Sequence, residues 1–103
     1  MEFYAGSEHS AHIAIANPTS WDWTYGVTLK VGDIVKSRDV AVAAGQTVDI
    51  DASIVMPSTP AELPVSVSIK EVTTGTDLGS YAFGTISVVA VPEPDVEVTL
   101  GWY

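Results

Sequence analysis

The sequence predicts one small all-β domain, a β-sandwich of seven to eight strands spanning residues 1–103. Three observations predict it. Val, Ile and Thr are abundant (15, 7 and 10 residues) and Leu is scarce, with four; branching at Cβ is stiff in a helix and suits a pleated strand. Apolar residues recur at spacing two, the period at which a strand presents one face. Turn residues interrupt that alternation at roughly 8–12-residue intervals, as in sandwiches and barrels. A chain of 103 residues is one ordinary domain and folds without staples. With 47% hydrophobic and 17% charged residues it has ample apolar surface and is not disordered.

Each element follows from the pattern. After a short N-terminal segment, Ala11–Ala16 sets Ile13 and Ile15 on one face and His12, Ala14 and Ala16 on the other. Asn17–Pro18–Thr19–Ser20 reads as a turn, since Asn accepts turn geometry and Pro fixes its own φ. The clearest strand is next: Trp21, Trp23, Tyr25, Val27, Leu29 and Val31 form one stripe. Gly32–Asp33 reads as a hairpin tip, with Ile34–Val42 returning.

Ala44–Gly45–Gln46 turns the chain into a strand carrying Val48, Ile50, Ala52 and Ile54, with Asp49, Asp51 and Ser53 outward. Met56–Pro64 holds three prolines, which cannot donate to a ladder, so a loop is expected. Val65, Val67 and Ile69 make the next strand, and Gly75 centres a hairpin over Thr73–Asp77. Along Leu78–Val91 the apolar parity switches from Tyr81 and Phe83 to Ile86, Val88 and Ala90, which places a bulge or bend at Gly84. After Pro92–Glu93–Pro94, a last strand with Val96, Val98, Leu100 and Trp102 is expected, with Trp102 buried and Tyr103 of opposite parity.

Charge and cysteine usage exclude several functions. A formal charge of −9 leaves no basic footprint for nucleic acid, and anionic membranes would repel it. The acidity suits a solvated surface or a basic partner. The absence of cysteine excludes disulfides, thiolate-bound zinc and thiol catalysis. Met1–Ser10 lacks the basic and apolar regions of a secretory signal. No apolar run approaches the ~18 residues of a membrane span. The protein is therefore expected to act where it is made, or to be part of a longer exported chain at the cell surface.

Three runs carry a family likeness: Ile13–Pro18 (IAIANP), Tyr25–Asp33 (YGVTLKVGD) and Val40–Val48 (VAVAAGQTV). Together they resemble the CARDB-type adhesion modules of prokaryotic surface proteins, over about residues 11–54. The resemblance implies an antiparallel sandwich of the immunoglobulin or fibronectin type III kind, serving as a spacer, adhesive or interaction unit. It transfers no catalytic or binding residue. The pair Trp21 and Trp23 and the proline loop before Val65 depart from the pattern.

Among candidate sites, Trp21, Trp23 and Tyr25 stand out. Exposed, they would form an aromatic platform for sugar rings; their parity with Val27, Leu29 and Val31 instead favours core packing. Glu93, Asp95 and Glu97, and Asp49 and Asp51, are acid runs at spacing two, but calcium wants six to eight oxygens and no EF-hand loop occurs. His9 and His12, three apart on a strand, face opposite ways and cannot share a metal there. If His9 instead precedes the strand, Glu8 beside it leaves a weak site, short of the three or four convergent ligands a metal needs. No G-x-S-x-G elbow is present, and Gly75, Gly79 and Gly84 fit turns rather than a phosphate loop.

No cofactor and no catalysis are therefore expected. The first functional expectation is a structural or adhesive module with protein partners or neighbouring domains. The second is a carbohydrate-binding module using Trp21, Trp23 and Tyr25. The third is a small virion or other self-assembling protein whose strand edges add to neighbouring sheets.

Overall fold

The computed structural model describes residues 1–102; Tyr103 lies outside the described residues. Among the described residues there are seven strands and no helix: β1 (Glu2–Tyr4), β2 (Glu8–Ala16), β3 (Trp23–Val31), β4 (Ile34–Val42), β5 (Thr47–Val55), β6 (Ala61–Glu71) and β7 (Asp77–Val89). They form a five-stranded sheet of order β1-β7-β6-β3-β4 and a two-stranded sheet, β2-β5. The all-β expectation holds.

The apolar stripes face one another. Tyr25, Val27, Leu29 and Val31 of β3 are buried, together with Val40 and Val42 of β4 and Val67 of β6. From the smaller sheet, Ile15, Ile50 and Ile54 join the same cluster. Asp49, Asp51 and Ser53 face outward, as the alternation requires. The β3–β4 hairpin closes over Gly32 and Asp33 with Val31 opposite Ile34. Gly32 has φ +59°, whereas Asp33 is not among the positive-φ residues. A positive φ at the first central position alone is the sign pattern of a type II′ turn, which suits the strand twist and favours glycine there.

The bulge falls where the parity switches. Tyr81 and Ala82 pair with Val67 and Ser66, but Thr85 and Ile86 pair with Pro64 and Leu63, so the register slips across Gly84. Gly84 carries φ +85°.

Four expectations need correction. The larger sheet is mixed, because β1 runs parallel to β7 with Phe3 opposite Val88; three residues are too few for alternation to announce a strand. β6 begins at Ala61 and includes Pro64, expected to lie in a loop. Pairing with β3 starts only at Val65, and Pro64 sits at the register shift, where a missing donor is tolerated. Trp21 lies outside β3, because its carbonyl accepts from Asn17 Nδ2 (2.6 Å) and Thr19 Oγ1 (3.1 Å) in an extended turn. The strand expected over residues 96–102 does not form: that segment is without secondary structure, and Trp102 is 88% exposed.

Candidate functional site

The main surface feature is a trough between the two sheets. Among the described residues β2 pairs with β5 along one edge only, so alternate N–H and C=O groups on its other edge have no strand partner there. β1 covers β7 only over Ser87–Val89, leaving the rest of that edge unpaired. Between these edges three hollows follow the inner side of β2. The first, of about 540 Å³, lies between Ile13 and Ile15 on one wall and Tyr81 and Phe83 on the other. The middle one, about 270 Å³, reaches from Ala11 and Ile13 to Val65 and Phe83. The last, about 340 Å³, ends at His9, Ile86 and Met1.

Tyr81 pairs with buried Val67 and so shares its inward face, yet Tyr81 and Phe83 remain 54% and 66% exposed. Large apolar side chains on an inward face, left open to water, mark a surface that lacks its cover.

The aromatic trio does not share one environment. Tyr25 is buried in the core, Trp23 is half-buried and Trp21 is exposed. Trp23 donates its Nε1–H to Thr19 Oγ1 at 3.1 Å. A shallow hollow beside Trp23 is lined by Asp22, Thr24 and Ala41; Asp22 accepts the Ala44 N–H at 2.8 Å.

Titratable groups are dispersed. His12 Nδ1 meets the Asp51 carboxylate across the β2–β5 ladder, where the two residues are direct partners. Both are exposed, so the pair contributes little. His9 lies against Phe3, with ring centroids 4.4 Å apart, and contacts Ser7 Oγ at 2.8 Å. Among the described residues no group of three or more His, Asp or Glu side chains converges as a metal site would require.

No protein-family model matches the chain, and no curated protein matches it.

Two polar residues that composition hides are buried, Asn17 and Glu71. Glu71 closes the β6–β7 hairpin. Its carboxylate accepts from Thr74 Oγ1 (2.7 Å), the Thr74 N–H (2.6 Å) and the Thr73 N–H (2.9 Å). The Thr74 hydroxyl and N–H, with Thr73 behind them, hold its pKa at about 2; burial opposes them and pushes it up. A carboxyl lowered on folding stabilises the fold above its ordinary value, and that contribution is lost as pH falls through the folded value. The window here runs from 4.5 down to about 2. Glu71→Gln is expected to be less stable than the wild type at pH 7 and to close that gap towards pH 2. Urea midpoints at pH 7, 5, 3.5 and 2 check this; a gap that stays constant with pH would exclude the mechanism.

Proposed function

We propose that this chain is a non-catalytic structural and interaction module, an immunoglobulin- or fibronectin-like sandwich that acts as a spacer or adhesive unit in a larger assembly. The observation that carries this reading is the trough: an apolar interior left open along β2, with unpaired backbone at its rim. Such a rim takes a strand from a protein partner by β-augmentation, with backbone hydrogen bonds for affinity and side-chain hollows for selectivity. The likeness of residues 11–54 to CARDB-type modules points the same way.

The rival reading, carbohydrate binding, has Trp21 in its favour, because that ring is 71% exposed. Iodide quenching of tryptophan emission, with and without a panel of soluble polysaccharides, separates the two. On the module reading no polysaccharide changes the quenching of the wild type. Protection that appears with a polysaccharide and disappears in Trp21→Phe would replace this reading with a sugar-binding one.

A further inference from the structure

The trough asks for a strand of particular character. It must bring apolar side chains at spacing two for the hollows over Tyr81 and Phe83, and a backbone able to pair with the open edge of β2. The hollows extend along nearly all nine residues of β2, about 30 Å at ~3.3 Å per residue.

One segment of the chain has that character and no partner. Val96, Val98, Leu100 and Trp102 alternate with Glu97, Thr99 and Gly101, and these four apolar residues are 75–88% exposed. None belongs to the core or packs against it. Residues 94–102 number the same as β2 and reach about the same 30 Å when extended.

The backbone leading to the segment keeps it away from its own trough. Pro92 and Pro94 fix their own φ, and Val91 and Glu93, each preceding a proline, are biased to extended conformations. Four consecutive residues thus resist the reversal that a return to β2 would need. The shape agrees. The molecule is 82 Å long but only 24 by 17 Å across, and its radius of gyration is 20.3 Å, against about 13 Å for a compact chain of this size. β7 and the residues that follow it, laid end to end at ~3.3 Å per residue, account for that long axis.

Charge placement selects this opening over the opposite side of the molecule. On β4, Lys36 and Arg38 pair with Leu29 and Val27 and so sit on the apolar face of an edge strand, a placement that discourages strand addition. Neither trough rim has such a guard: no Asp, Glu, Lys or Arg occurs over residues 10–20 or 78–91. With Val96, Val98 and Leu100 turned inward, Asp95 and Glu97 face water.

We propose that residues 94–102 of one chain insert as a strand beside β2 of a second copy, filling the trough over Tyr81 and Phe83 and linking copies head to tail. Donor and acceptor are different surfaces, so the contact is heterologous and builds an open linear filament. This inference rests on the module reading and names its partner as the chain itself.

The test uses the full chain, by light scattering across a concentration series and negative-stain microscopy. The wild type is expected to form linear oligomers that lengthen with concentration. Val98→Asp/Leu100→Asp removes the donor from a segment outside the folded strands, and Phe83→Glu blocks the acceptor at an exposed position. Each variant alone is expected to lose all oligomers. Mixed one to one, they should give a dimer and nothing longer, because only one donor and one acceptor remain intact.

A wild type that stays monomeric would overturn the inference. Slow amide exchange over residues 96–102 in that monomer would then mean that the segment closes its own trough. Oligomers that persist in both variants would overturn it too, by locating the contact at another edge. Both results leave the module reading standing, since that reading fails separately, through polysaccharide protection of Trp21.

Discussion

Replacing Asn17 with alanine is expected to cost about 3 kcal/mol and to lower Tm by about 15 °C. Asn17 is 1% exposed and uses its whole amide. Nδ2 donates to the carbonyls of Trp21 (2.6 Å) and Val42 (3.0 Å), while Oδ1 accepts from the Thr19 N–H (3.0 Å) and hydroxyl (2.7 Å). Its backbone is engaged as well, donating to Gln46 O and accepting from Gly45 N, both at 2.9 Å. These partners lie on the β2–β3 connection, at the end of β4 and on the β4–β5 connection, the two crossings between the sheets. One residue therefore fastens both crossings, its side chain holding the first to the end of β4 and its backbone holding the second.

The magnitude follows from what truncation removes. Each hydrogen bond contributes a net ~1 kcal/mol. Truncation removes four such bonds at once around a residue that is 1% exposed. The Val42 carbonyl keeps its ladder partner Trp23 and the Trp21 carbonyl keeps Thr19, so the sum of the lost bonds sets the figure. Asn17→Asp keeps the acceptor for Thr19 and replaces the donor with a second oxygen facing two carbonyls, so it should be at least as damaging at pH 7. Thermal unfolding followed by tryptophan emission measures both variants. A Tm drop below about 4 °C for Asn17→Ala, the equivalent of under 1 kcal/mol, would mean that water substitutes for the amide.

Asn17 also marks how far the sequence can be read. Asn-Pro declares a turn from local chemistry alone. That the amide reaches Val42, 25 residues on, depends on how the strands assemble, and no short-range pattern encodes it. The β3–β4 hairpin was legible because alternation and a Gly turn act within one stretch of chain. The bulge at Gly84 was legible for the same reason, as a break in parity. β1 was not, because its place beside β7 comes from Phe3 meeting the edge of a sheet formed almost entirely later in the chain. Trp21 continued the parity of β3 but is drawn into the turn by Asn17 and Thr19. The trough was the least legible feature. Tyr81, Phe83, Ile13 and Ile15 each read as inward-facing, and nothing in their spacing says that one of the layers above them stops a strand short.

Two leucines on equally regular stripes should therefore behave in opposite ways. Leu29→Ala is expected to cost about 3 kcal/mol, within the 2–5 kcal/mol typical of buried Leu→Ala changes. Leu29 is 4% exposed on a strand paired on both sides, and it borders the hollows along both walls of the core, so truncation leaves a void that neighbours cannot fill. Leu100→Ala, at a residue 75% exposed and outside every strand, should change the stability of the dilute monomer by less than ~0.5 kcal/mol. Chemical denaturation at low protein concentration measures the pair side by side. Equal losses would mean that the segment packs on its own chain. As concentration rises the difference should narrow, because Leu100 gains a buried site only when another copy supplies the trough. Alternation fixes which side chains of a segment can be buried together, and the partner that buries them is set by which edges the rest of the fold leaves open.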